Sequence, residues 1–569
     1  MDRFQEKKSY EEILSYIGDM GIYQMRILFL GFLACAGEGL HLINTIFTMG
    51  AQEFRCAVPG LLNDTFNIQN EAHARLINAT IPFDADKGSY SKCSHYKNGL
   101  YKSTLLAQNI TLGDTQACSR WVYSTDVFKS SILSELNMVC DREIYISHAN
   151  MMSMAGLMLG SLVSGAISDQ FGRKKTFLFF YWFHMLVAFS SVLATSLPTF
   201  FISRMLVAGT GVAFYMSIYV LITEMVAPQK RVLAACCANV GWVFGMLLLM
   251  LMAYFLRYWK TLQLALSSAL VFIAVSYIWL IPESPRWLLN KGRYSEAYVI
   301  LKEMAKVNKK EYPLEACLQE NCLETRLEKQ DISREAQRDE SRMKSLMLLI
   351  KSPTLCIRLA ILSYSWAVNS MVYYGVTLNI GSIIPGDLYT NFLIVSLLEL
   401  VSHLMVPIVL RYVGRRIFYC ALVLVGGGAC LATFLPLMLL NDDADWIIMG
   451  LSNLGKFCIS AAFNTMWLYT SELLPTSARQ SGIGICSFVG RIGGMISPYI
   501  ASLDNVIGGH LGEAAPLFLF GAAAVAAGAL CLLLPETTRR NLPETVEEAE
   551  SLKRLRSRQE SVSGDVSNL

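Results

Sequence analysis

Long apolar runs separated by short polar loops dominate the chain. Runs able to cross about 30 Å of hydrocarbon, which takes roughly 20 helical residues each, lie near 26–50, 146–168, 175–196, 198–223, 232–256 and 262–281. A second set lies near 355–380, 388–410, 417–439, 446–470, 480–502 and 514–534. Between the sets, Pro282 to Ser352 is the one long interior stretch that is polar and mixed in charge, so the pattern predicts two membrane halves about a linker. The halves end alike, on PESPRWLL (Pro282 to Leu289) and PETTRR (Pro535 to Arg540). The predicted organisation is an N-terminal segment 1–25, a six-helix half 26–281, a linker 282–354 with short amphipathic helices, a six-helix half 355–534 and a polar, serine-bearing tail 535–569.

Composition agrees: 53% of residues are hydrophobic and 16% charged, and mean hydropathy is +0.40. Met1 to Tyr23 is polar and lacks a short apolar core with a cleavage site, so the first span is expected to serve as its own insertion signal. Lys and Arg fix the expected orientation. Arg173, Lys174, Lys175, Lys230, Arg231, Arg411, Arg415, Arg416, Arg479, Arg539 and Arg540 share one side with the linker, whereas opposite loops carry Asp442, Asp443 and Asp445, with Arg257 and Lys260 the exceptions. The positive-inside rule then places both termini and the linker in the cytoplasm. The polar stretch 52–145 falls outside. It holds Cys56, Cys93, Cys118 and Cys140, an even number in an oxidising compartment, which predicts two disulfides with three pairings open. It also holds N-x-S/T acceptors at Asn63, Asn78 and Asn109.

An internal repeat links the halves. Gly165-x-x-x-Asp169-Gln-Phe-Gly172-Arg173-Lys174 follows the second span, and Arg411-Tyr-Val-Gly414-Arg415-Arg416 follows the eighth. Glu224 stands seven residues before Arg231, and Glu472 seven before Arg479. Gly172 and Gly414 are 242 residues apart and the two glutamates 248, in the same direction along the chain. Parallel repeats imply alternating access about a midplane site. Asp169, Arg173, Glu224, Arg231, Glu283, Arg286, Arg415, Glu472, Arg479 and Glu536 are expected to form gating ion pairs at the loop ends, and Gly172 and Gly414 to supply tight turns with positive φ.

These loops resemble the signature of the major facilitator superfamily. PESPRWLL, SWAVNSMVYYGVTLN (Ser365 to Asn379), YTSELLPTSAR, LPETTRRNLPETVEEAE (Leu534 to Glu550) and SSILSELNMVC (Ser130 to Cys140) resemble its organic cation, anion and zwitterion transporters, over nearly the whole chain. Gln170, Leu136 and Leu410 depart from that pattern. The resemblance implies an all-α polytopic fold of about twelve helices in two parallel six-helix repeats.

Charge inside a span costs about 2.5–3.5 kcal/mol on insertion scales and therefore marks function or pairing. Glu38, Glu399, Lys456 and Arg491 lie at such depth, with His41, His184 and His403. By resemblance, Arg491 stands where anion and carnitine carriers have Arg and cation carriers Asp, Glu399 matches an acidic position linked to amine recognition, and His403 stands where anion carriers often have Lys. Aromatic residues Tyr215, Tyr219, Trp242, Trp366, Tyr373, Tyr374, Phe463 and Trp467 offer cation–π walls, and Asn239 and Asn369 hydrogen bonds. An Arg and a Glu in one cavity would hold a carboxylate and an amine together. The expected activity is therefore carriage of small zwitterions such as carnitine or β-alanine. An organic cation uniporter, an organic anion exchanger and a non-transporting receptor are the alternatives. No Walker motif, nucleophile elbow or metal-ligand spacing appears, so no enzyme activity, ATP, nucleic-acid partner or metal is expected, and no cofactor other than a co-transported Na⁺ or H⁺.

Overall fold

The computed structural model describes residues 10–84, 89–97, 114–310, 352–439, 445–475, 478–538, 543 and 546–551. Asn109, Asp442, Asp443, Arg539, Arg540, the linker over 311–351 and the tail from 552 onward lie outside the described residues.

Among the described residues, twelve helices are long and apolar enough to span a bilayer. In the first half they are α1 (Ile22–Leu42), α2 (Ile144–Phe171), α3 (Arg173–Ser190), α4 (Leu197–Glu224), α5 (Arg231–Phe255) and α6 (Trp259–Leu280). In the second they are α7 (Pro353–Leu378), α8 (Leu388–Val409), α9 (Arg415–Ala432), α10 (Asp445–Leu473), α11 (Arg479–Ala501) and α12 (Gly509–Cys531). Two of their starts carry side-chain caps. The Ser352 hydroxyl accepts from the Leu355 amide with Pro353 at the first turn of α7, and the Asp387 carboxylate accepts from the Thr390 amide at α8. Their outer faces carry large apolar side chains, Phe272 being 85% and Trp279 74% exposed, a surface that only lipid satisfies.

Small residues let paired helices approach backbone to backbone. A Cβ on Gly39 would come within 2.3 Å of the Trp242 carbonyl oxygen, joining α1 to α5, and one on Gly493 within 2.1 Å of the Ala367 oxygen, joining α11 to α7. The same pairing thus recurs in both repeats.

Between α1 and α2 lies a small domain with three two-stranded antiparallel sheets, an element the all-α expectation did not include. β1 (Phe54–Cys56) pairs with β6 (Trp121–Tyr123), β2 (Phe83–Asp84) with β3 (Ser89–Tyr90), and β4 (Ser94–Tyr96) with β5 (Thr115–Ala117). The structure pairs the cysteines as Cys56–Cys118 and Cys93–Cys140. Inside the domain, Asp64 receives Arg55 at 2.6 Å and His73 at 2.8 Å, all three side chains being nearly inaccessible. Asn63 and Asn78 are exposed, and Asn78 accepts a hydrogen bond from Tyr90.

The halves meet through α2 with α11 and α5 with α8. At the face carrying the disulfide domain, Ser147 donates to the Pro498 carbonyl, His148 bonds the Tyr499 hydroxyl at 2.8 Å, and Tyr389 donates to the Ala253 carbonyl. Phe47 packs on Tyr389 and Phe392 there, with ring centroids 5.5 and 5.2 Å away. That end of the inter-half seam is sealed by neutral contacts.

Candidate functional site

The two repeated loops fold into matching charge clusters on the face opposite the disulfide domain. Arg173 bonds Asp169 at 3.1 Å and Glu224 at 3.2 Å; Arg415 bonds Glu472 at 3.3 Å. Glu283 accepts from the Arg173 and Lys174 amides at the start of α3, and Glu536 from the Arg416 amide at the start of α9, where the helix dipole favours an anion. Ser284 donates to Glu224 and Thr537 to Glu472, each at 2.6 Å. Burial alone would raise the Glu536 carboxyl, but Thr538 and the neighbouring amides hold it below the usual range. The expected turn geometry holds at Gly172, with φ 105°, and fails at Gly414, whose φ is −64°. Glycine is needed at Gly414 for room, because an added Cβ would lie 2.5 Å from the Glu536 carboxylate. Of the two seven-residue acid–base pairs, the Glu472 charge reaches Arg479. Glu224 and Glu472 are engaged by the glycine-loop arginines, and Nε and Nη2 of Arg479 meet no partner. Arg231 and Arg286 have contacts in this region.

At mid-depth in the second half, Glu399 on α8 and Lys456 on α10 form an ion pair at 3.5 Å, with side chains 2% and 1% exposed. Residues one turn apart on α7 complete the cage. Tyr373 donates to Glu399 at 2.6 Å, Lys456 donates to Thr377 at 2.5 Å, and the ammonium stands 3.4 Å from the Tyr373 ring centroid. His403 lies 3.7 Å from Glu399 and 2.5 Å from the Asn464 amide, which reaches Asn239 across the halves. Glu399 thus has a resident cation.

Two other mid-depth charges are not neutralised in this way. The Glu38 carboxylate of α1 rests against Gly211 of α4, where an added Cβ would lie 2.1 Å from it. No ion pair engages it among the described residues. Arg491 on α11, half-buried, donates to the Tyr374 hydroxyl at 3.5 Å, and its charge reaches Glu38 across the gap between halves. Aromatic rings pack on neighbouring helices of both halves. Tyr215 packs on Trp242 at 6.3 Å, Tyr373 on Tyr374 at 5.1 Å and on Phe463 at 5.7 Å, and Trp366 on Phe463 at 6.1 Å and on Trp467 at 4.5 Å. The arrangement offers one carboxyl, one guanidinium and aromatic rings, contributed by both halves.

Other expected members lie elsewhere. His41, three residues after Glu38, is fully buried edge-on against His184 of α3 at 4.9 Å, within the first half. Asn369 donates to the Tyr419 hydroxyl inside the second half. Thr377, Gly211, Asn464 and Arg204 were missed by the sequence reading. Arg204 alone carried a signal, a lone charge in the apolar run 198–223.

The family model described as sugar (and other) transporter matches residues 109–549. An organic cation transporter protein of Drosophila melanogaster is 32% identical over 95% of this chain and 94% of its own length. Solute carrier family 22 member 2 of Homo sapiens is 31% identical, and organic cation/carnitine transporter 2 of Homo sapiens 27%, each covering 97% of this chain and 96% of its own. Among solved structures, the xylose transporter XylE from E. coli in an inward open conformation superposes with TM-score 0.58 at 14% identity, over 93% of this chain and 99% of its own. That likeness shows the fold.

Proposed function

We propose, from the premise that this chain belongs to the organic cation, anion and zwitterion (carnitine) transporters of the major facilitator superfamily, that its substrates are small zwitterions carrying an amine and a carboxylate. The chain is a multi-pass membrane transporter and not an enzyme. One observation carries the finer reading: the charge of Arg491 reaches Glu38 from the opposite half with no ion pair at Glu38 among the described residues, whereas Glu399 is already held by Lys456. The amine anchor expected at Glu399 therefore passes to Glu38. Arg491 grips the carboxylate, Tyr374 supports the guanidinium, and Tyr215, Trp242 and Tyr373 enclose the aliphatic or quaternary ammonium portion. Rocking of the halves about this site delivers the substrate to the other face. The plasma membrane, with both termini cytoplasmic, is the setting consistent with the charge bias and the disulfide domain. A Na⁺ or H⁺ moving with the substrate is the expected coupling ion.

A second reading, organic cation uniport, is favoured by the relatives described as organic cation transporters. Uptake of labelled carnitine, β-alanine, tetraethylammonium and p-aminohippurate separates the two, with Na⁺ replaced and pH stepped in parallel arms. Zwitterion uptake lost in both Glu38→Gln and Arg491→Ala supports the two-charge site. Tetraethylammonium uptake that survives Arg491→Ala, with no zwitterion entry, supports the uniporter.

A further inference from the structure

Arg257 and Lys260 stand on the face where the charge bias leaves few cations, and the substrate site gives neither a role. Lys260 is accounted for, because it forms an ion pair with Glu135 at 2.8 Å. Arg257 is not. It follows the outer end of α5, and the fold sets it beside a third cation, Lys129 of the disulfide domain. The Lys129 amide donates to the Arg257 carbonyl at 3.1 Å, the Trp259 amide donates to the Ser130 carbonyl at 3.2 Å, and Ser130 bridges Tyr258. These bonds strap the domain to the turn between α5 and α6.

Beside the strap lies a cavity of about 290 Å³ lined by Lys129, Phe255, Leu256, Arg257, Tyr258 and Thr261. Two of these residues are cations and none is an acid. Neither cation pairs with a carboxylate among the described residues. Arg257 uses one of its five N–H groups on the Asp126 carbonyl at 2.9 Å, while the Asp126 carboxylate takes the Ser124 hydroxyl at 2.8 Å. The Lys129 ammonium stands 5.7 Å from the Tyr258 ring centroid, and the Arg257 guanidinium 5.9 Å from that of Tyr254. Rings orient the two cations without neutralising them. Such a chamber selects an anion.

Its depth indicates which anion. Phe255, at the last residue of α5, is 72% exposed and Tyr258 51%. Exposed rings and cations at the end of a spanning helix belong to the head-group layer of a bilayer. A soluble anion needs only the charges, whereas Phe255 and Leu256 add an apolar wall that glycerol and the first methylenes of a lipid would cover.

We propose that Lys129, Arg257 and Tyr258 form a site for the phosphodiester of a phospholipid in the leaflet on the disulfide-domain face, with Phe255 and Leu256 against its glycerol and upper acyl chains. The phosphate bridges Lys129 of the domain and Arg257 of the helix turn, and so fastens the domain to the first half. Because it binds the folded chain and not the unfolded one, it stabilises the protein by mass action.

The test is thermal unfolding of the purified full chain in an uncharged detergent, titrated at constant ionic strength with dioctanoyl phosphatidylglycerol, with dioctanoylglycerol, which lacks the phosphate, or with inorganic phosphate. The expected result is a saturable rise in melting temperature with the phospholipid alone. Lys129→Gln raises the half-maximal phospholipid concentration several-fold, and Lys129→Gln with Arg257→Gln abolishes the rise. Lys260→Gln, which removes the same charge from a neighbouring position already paired, leaves the half-maximal concentration unchanged. Should Arg257→Gln not yield folded protein for want of its bond to Asp126, Lys129→Gln alone carries the test, since its ammonium holds no other residue by hydrogen bond among the described residues. No rise with the phospholipid overturns the proposal. An equal rise with inorganic phosphate makes the site one for soluble anions, and an equal rise with dioctanoylglycerol reduces it to apolar contact; either refutes the assignment. So does a phospholipid response that Lys129→Gln and Lys260→Gln weaken alike, which would mark general surface charge.

Discussion

Removing either member of the Glu399–Lys456 pair should damage the fold, and removing both should damage it less. At 3.5 Å and an effective dielectric near 20, the pair attracts with about 5 kcal/mol. Much of this offsets the cost of taking two ions out of water. In Lys456→Gln the carboxylate keeps the Tyr373 hydroxyl and the distant His403, and in Glu399→Gln the ammonium keeps Thr377 and the Tyr373 ring. Each single change leaves one uncompensated charge that is at least 98% buried, for which about 3–5 kcal/mol is the ordinary cost. The double change leaves two neutral amides within reach of the same partners, and a coupling energy of about 2–3 kcal/mol should appear as recovery. Folded yield and melting of a fluorescent fusion, measured for the two singles and the double, test this directly. If Glu399→Gln folds as well as the wild type yet loses uptake of amine-bearing substrates, Glu399 is a ligand and the cage assignment fails.

Gly211→Ala should push the Glu38 carboxylate out of place, raising KM for zwitterions about tenfold or more, with no further loss when combined with Glu38→Gln; additive losses would separate the two positions. In the outer domain, burial alone would raise the Asp64 carboxyl, but Arg55, the Val58 amide and His73 hold it below the usual range. Its contribution is therefore complete above about pH 3.9 and lost as pH falls through the lower folded value. Proteolysis of the domain should show protection at pH 5 that disappears only in stronger acid, whereas Asp64→Asn is cut more readily even at pH 7. Non-reducing peptide mapping should recover Cys56 with Cys118 and Cys93 with Cys140, and any exchanged pair would contradict the structure of the outer domain.

The spans and the repeat were legible because each rests on a one-dimensional signal: a run of apolar residues, or a glycine and an acid recurring at fixed distance. What depends on helix rotation was not. α4, α5 and α8 are apolar on all sides, so periodicity cannot say that Glu399 turns toward Lys456 or that Glu38 and His41, three residues apart, face different neighbours. The cysteine count predicted two disulfides, but their pairing needed the three-dimensional fold: the register that sets Ser94 opposite Ala117 brings Cys93 beside Cys118, yet the bonds join Cys56 with Cys118 and Cys93 with Cys140. Gly414 shows the same limit on a smaller scale. Its sequence context matched Gly172, yet one glycine supplies a backbone angle and the other an absent side chain.

The placement of contacts constrains how the halves can move. The bonds described for Glu224, Glu283, Glu472 and Glu536 join elements of the same half, so rocking one half against the other need not break them. They fasten α3 to α4 and the segment after α6, and α9 to α10 and the segment after α12, into units that move as bodies. The contacts that must part lie at the disulfide-domain face: two hydrogen bonds to backbone carbonyls, the His148–Tyr499 bond and the rings around Phe47. These are neutral, and each net hydrogen bond contributes only about 1 kcal/mol. A seam of that kind can open within the energy that differential substrate binding supplies, whereas charge-assisted pairs spanning it would hold it shut. The strong electrostatics therefore preserve the rigid bodies, and the weak contacts mark the surface along which they separate.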